Sequence, residues 1–192
     1  MAYSSFSPIT FSLTVSILIA IPTAIGSLVI WRMGKAADFD YPVRGVASGD
    51  RARSFGRNGP GRLSRSATAC VAFLLGFVTC VGWLSWSGYS GILEFRYPPP
   101  TEFPPWQIWG CGITLVMCSV SAFLLAKRKK SGSLISPLYI ASGFATAMAV
   151  GVSYGATSQG GVGVVFSMFG LTIGLGIVTV VCARMWQVIV RH

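Results

Sequence analysis

Long apolar runs separated by short polar stretches recur over nearly the whole chain. A helix needs about 20 apolar residues to cross a hydrocarbon core of about 30 Å, and five runs qualify: Ile9 to Trp31, Ala67 to Tyr89, Trp106 to Ala126, Pro137 to Tyr154 and Val162 to Ala183. None shows the alternation of single apolar and polar residues that a membrane barrel strand requires. The pattern predicts an all-α polytopic membrane protein with one membrane domain over residues 1–192. The fourth run is the shortest and the richest in small residues, so its ends are the least well marked.

Composition agrees with the pattern. Hydrophobic residues make up 53% of the 192 residues and charged ones 10%, against about 25% charged in an average globular domain. The few charges are unevenly placed. Of the 15 Lys and Arg, all but Arg96 fall between spans one and two, between spans three and four, or after span five. With five alternating spans these places share one face, and the positive-inside rule makes it the cytoplasmic one, with the N-terminus outside. The six Trp sit at predicted helix ends, at the depth where amphipathic rings meet headgroups. The formal charge of +10 therefore reflects topology rather than nucleic-acid binding. The leading "MAYSSFSP" carries no side-chain cation of the kind that precedes the core of a signal peptide, so the first span is expected to remain uncleaved.

Between spans one and two, residues 34–66 are rich in Arg, Gly and Ser and have no apolar period, which predicts a flexible basic cytoplasmic loop. Arg51, Arg53, Arg57, Arg62 and Arg65, with Lys127, Arg128, Lys129 and Lys130 of the next inner loop, are candidates for contact with anionic lipid. Ser136-Pro137 is expected to open span four, because Pro is tolerated in a first helical turn. The "GATSQGG" link is short enough to make spans four and five an antiparallel hairpin.

Small residues recur at four-residue spacing: Gly143, Ala147, Gly151 and Gly155 in span four, Gly110, Thr114, Cys118 and Ala122 in span three, Ser12, Ser16, Ala20 and Ala24 in span one, and Gly170 and Gly174 in span five. In lipid, where no hydrophobic force drives helices together, such stripes let backbones approach closely. They predict packing faces, toward helices of this chain or of another. Pro22 removes a backbone hydrogen bond within span one and predicts a kink there.

The chemistry on offer is sparse. Asp38, Asp40, Asp50, Glu94 and Glu102 all lie in loops, and no span carries an ionisable Asp, Glu, Lys, Arg or His in its interior; such groups mark ion sites and proton relays. The one His, His192, ends the sequence, which disfavours a Ser-His-Asp or Cys-His centre. The five Cys form no C-x-x-C and lie within predicted spans, where Cys serves as a small hydrophobe. No metal-ligand spacing or phosphate loop appears. These observations argue against an enzyme and call for no cofactor.

The Pro-rich outer loop, residues 94–105, is the remaining distinctive feature. Pro98, Pro99 and Pro100, and Pro104 with Pro105, favour stiff, extended polyproline II, and their reach means that spans two and three need not be neighbours. Tyr97, Phe103, Trp106 and Trp109 around these prolines are residue types that anchor interfaces at low entropic cost. The expected role is that of a non-catalytic accessory, assembly or scaffolding subunit of a larger plasma-membrane complex. Its partners would be membrane lipids and other integral membrane subunits, without nucleic acid. The excess of Arg over Lys suggests a bacterial origin. The alternative is a carrier or permease component for an uncharged or lipid-like solute, using the Pro22 kink and the glycines of spans four and five.

Overall fold

A computed structural model describes residues 6–39, 63–88, 102–126, 129–154 and 160–189. Each of these five segments holds a helix long and apolar enough to cross a membrane. The chain is thus an all-helical, multi-pass membrane protein. Helix α1 spans residues 8–39 in three contiguous pieces, Pro8–Leu13, a π-helical Thr14–Ala20 and Ile21–Phe39. It is followed by α2 (Arg65–Leu84), α3 (Pro105–Leu125), α4 (Lys129–Ser153) and α5 (Gly160–Ile189).

The helix ends follow from local chemistry. Ser7 caps α1, its Oγ accepting from the Thr10 N–H, and Ser64 caps α2 through the Ala67 N–H. Pro105 opens α3, where its missing N–H leaves no bond unmade. Within α1 the π segment ends just before Pro22, and the Ile21 N–H reaches back to the Ser16 carbonyl. The wider π turn thus precedes the residue that cannot donate, which gives the irregularity expected at Pro22 a definite form.

Helix α4 is the axis of the bundle. Among the described residues it is the only one of the five that packs on each of the other four, α3 also meets α2 and α5, and α5 meets α1. Burial follows: 67% of the α4 membrane-spanning window is buried, against 6% of that of α1. The reason lies in side-chain size. Around one stretch of α4, Ala141, Ser142, Gly143 and Ala145 are all buried, so neighbouring helices can approach it from several directions.

Two clusters flank this axis. On one side Ala72 and Cys80 of α2, Cys111, Leu115 and Ala122 of α3, Ile140 and Phe144 of α4 and Leu175 of α5 form one core. On the other, Ile19 of α1 packs with Leu138, Ala141, Ala145 and Ala149 of α4 and Val164 and Met168 of α5. Hydroxyls join α1 to α4 across the second cluster. Thr23 Oγ1 and Ser142 Oγ lie 2.7 Å apart, and each also reaches the carbonyl four residues back in its own helix. One of the two must donate across and the other backward. Ser27 Oγ and Tyr139 Oη form a second cross-link at 3.1 Å. Intramembrane hydrogen bonds of this kind contribute about 0.6 kcal/mol each. Thr23→Val is therefore expected to lower the thermal midpoint by less than about 3 °C, as read by unfolding in mild detergent.

Two boundaries differ from the sequence reading. Helix α4 begins at Lys129, so Pro137 is an interior residue of the helix rather than one of its first turn. Pro137 is fully buried against neighbouring helices, and packing offsets the single backbone bond it removes. Helix α2 ends at Leu84, and the residues after it, as far as Gly88, turn back toward α3.

Candidate interaction surfaces

The end of the bundle that carries the Pro-rich segment is organised by one side chain, Gln107. It is fully buried. Its amide donates to the Trp83 and Trp86 carbonyls and accepts from the Gly88 N–H at 3.0 Å. Three main-chain groups at the C-terminal end of α2, left without helical partners by the end of the helix, are thereby satisfied from α3. Ser87 Oγ adds a bond to the Glu102 carbonyl at 2.8 Å.

Spans two and three are accordingly neighbours. The stiff prolines left their adjacency open, and it is settled by contacts of the residues that flank the Pro-rich segment, Ser87 with Glu102 and Gly88 with Gln107. What decides this is the buried amide, which has its partners only if the two helix ends meet.

Aromatic rings cover this junction. Trp106 packs on Trp83 at 6.4 Å and on Trp86 at 6.0 Å between ring centroids. Trp83 in turn lies over Gly110, where a Cβ would come within 2.4 Å of the indole. Gly88 sits as tightly against Trp106 and Pro104. Phe103 is half-buried, while Trp109 is 73% exposed and points away from the chain. Tyr97, Pro98, Pro99 and Pro100 lie outside the described residues.

The small-residue stripes divide into inward and outward sets. Gly143 faces α2 so closely that a Cβ would lie 2.0 Å from the Phe73 carbonyl oxygen. Gly76 of α2 meets the Ile140 carbonyl oxygen in the same way, at 2.1 Å. Gly151 is buried, Ala147 is half-buried, and Gly155 lies outside the described residues. Along α3, Gly110, Thr114 and Cys118 are half-buried and Ala122 is fully buried.

The other stripes face away. Ser12, Ser16, Ala20 and Ala24 of α1 are all exposed. Gly170 and Gly174 of α5 are exposed too, and a Cβ added to either would meet nothing within 4 Å. Among the described residues, these two glycines pack against no other helix.

At the opposite end of the bundle, Arg65 is half-buried in the first turn of α2, and Lys129 and Lys130 fall in the first turn of α4. Arg51, Arg53, Arg57, Arg62, Lys127 and Arg128 lie outside the described residues. Glu102 is exposed beside the Gln107 junction. Among the described residues, no three His, Cys, Asp or Glu side chains come together as a metal-binding group.

Two residues that organise these surfaces are not among the sequence candidates. Gly76 follows the four-residue rule with Ala72 and Cys80, all three buried, and was legible on that rule. Gln107 is the only amide side chain within the five membrane-spanning windows. A buried amide in an apolar helix is costly unless fully bonded, and that is the signal it carries. No protein-family model, curated protein or solved structure matches the chain.

Proposed function

We propose that this protein is a non-catalytic subunit of a larger membrane complex, acting in its assembly or as a scaffold. The observation that carries this reading is the pair of outward small-residue faces, Ser12, Ser16, Ala20 and Ala24 on α1 and Gly170 and Gly174 on α5. Small residues turned outward leave shallow grooves that another helix can enter, and backbone approach is what stabilises helix pairs in lipid. Helix α1 is suited to this role because so little of it is buried in its own chain. Trp106 and Trp109 offer exposed aromatic surface at one end of the same bundle.

In this reading the arginine-bearing end faces the cytoplasm of a bacterial cell, the N-terminus lies outside and the membrane is the plasma membrane, in keeping with the charge bias. The carrier alternative is less well supported. The glycine crossing of α2 and α4 is closed by backbone contact, and the hydroxyls of Thr23, Ser142, Thr146 and Thr172 are bonded inside the bundle.

The proposal predicts a separation of effects. Leucine at both Gly170 and Gly174 enters open space and is expected to leave the thermal midpoint of the purified chain within about 2 °C. The same pair, together with Ala20→Leu, is expected to reduce recovery of a co-purifying integral membrane protein at least about tenfold. Equal recovery from the leucine variants, measured by quantitative mass spectrometry, counts against these faces as partner surfaces.

A further inference from the structure

Although α1 and α2 both pack on α4, they make no direct packing contact with one another among the described residues. Between them, at the arginine-bearing end, a cleft of about 150 Å³ opens over α4. Cavities of about that volume accept one benzene-sized group. Its walls come from three helices: Ser27 and Trp31 of α1, Arg65 and Ser66 of α2, and Tyr139 of α4, with aliphatic side chains between them.

The polar groups here are incompletely used. Arg65 Nε is buried and has no hydrogen-bond partner among the described residues. Among the described residues, no acidic side chain lines the cleft. Ser27 and Tyr139 hydroxyls bond to each other, and that bond uses one proton of the two, so the pair retains a second O–H. A buried guanidinium N–H without an acceptor costs free energy that an oxyanion would recover. A phosphate fits this demand, since a planar guanidinium fork matches two of its oxygens.

We infer that the cleft between α1 and α2 binds the phosphate headgroup of one anionic phospholipid, with Arg65 as its cation and the hydroxyls of Ser66 and Tyr139 as supporting donors. The depth is right for a lipid rather than a free ion. Arg65 opens the α2 membrane-spanning helix and Met33, just beyond the Trp31 that lines the cleft, closes the α1 window, so the cleft sits at headgroup level. Its aliphatic walls suit the glycerol and the first acyl carbons. Basic pockets between membrane helices bind anionic headgroups on this principle. The site is independent of whether α1 and α5 carry a partner.

The test titrates the purified full chain in mild detergent with phosphatidylglycerol, with phosphatidylcholine of the same acyl chains and with inorganic phosphate, reading bound lipid by native mass spectrometry. One saturable phosphatidylglycerol per chain is expected, in preference to phosphatidylcholine. Arg65→Gln and Arg65→Lys should each weaken it about tenfold, because lysine restores the charge without the fork. Ala69→Leu should do the same by filling the cleft with Arg65 in place, and Arg32→Gln, on the exposed side of α1, should leave binding unchanged. Wild-type binding by Arg65→Lys or Ala69→Leu would overturn the inference by reducing the effect to surface charge. Displacement of the lipid by millimolar inorganic phosphate would overturn it in favour of a free anion. Absence of any saturable phosphatidylglycerol on the wild-type chain would do so outright.

Discussion

Alanine at Gly143 is expected to lower the thermal midpoint of the protein in mild detergent by about 10 °C, the equivalent of about 3 kcal/mol. The added Cβ would stand 2.0 Å from the Phe73 carbonyl oxygen, where real Cβ atoms essentially never come within 3.0 Å. The helices must therefore part by about 1 Å. The obstruction is backbone on both sides, so no side-chain rotation relieves it, and Ala72, Cys80, Ile140 and Phe144 around the crossing lose contact together. Gly76→Ala meets the Ile140 carbonyl and is expected to act alike. Because the first substitution already separates the helices, the double variant should lose less than the sum of the two single losses. Gly82 and Gly112, whose added Cβ atoms would meet nothing within 4 Å, are the controls: alanine there should be neutral or slightly stabilising.

Replacing Gln107 with leucine is expected to have a comparable effect through a different cause. Leucine keeps the volume but leaves the Trp83 and Trp86 carbonyls and the Gly88 N–H without their partner. Each buried unsatisfied group costs about 1–3 kcal/mol, and partial access to water at the bundle end reduces the sum to about 3–4 kcal/mol. The α2–α3 junction should open first. Limited proteolysis should then cut between Gly88 and Glu102 faster in Gln107→Leu than in the wild-type protein, before global unfolding. An unchanged cleavage rate there would mean that the Trp83, Trp86 and Trp106 cluster holds the junction unaided.

The five helices were legible because apolar length is a one-dimensional property, and hydrocarbon thickness turns length directly into spans. The start of α4 was not, since Pro137 looks like a helix opener and only the surrounding helices, which bury it, reveal that its lost bond is tolerated. Four-residue stripes were readable too, but their direction was not. Ser12, Ser16, Ala20 and Ala24 have the same spacing as the run from Gly143 to Gly151, yet one set is exposed while Gly143 and Gly151 are buried, and that difference depends on which helix takes the central position. Adjacency of α2 and α3 was hidden for a related reason. A proline-rich link is compatible with many separations, and the residue that selects one, Gln107, acts through main-chain groups some twenty residues earlier, which spacing alone does not display. The cleft at Arg65 likewise exists only because α1 and α2 diverge over α4.

Whether this chain works as a subunit whose outward small-residue faces hold another membrane protein is decided by affinity purification from its native membrane in mild detergent. Quantitative mass spectrometry should be run in parallel on the wild-type chain and on the variant with leucine at Ala20, Gly170 and Gly174. A subunit role requires an integral membrane protein in fixed ratio to the wild-type chain and its loss from a variant that remains folded and monodisperse. A wild-type chain that purifies alone and monodisperse, or a partner retained equally by the variant, would contradict it.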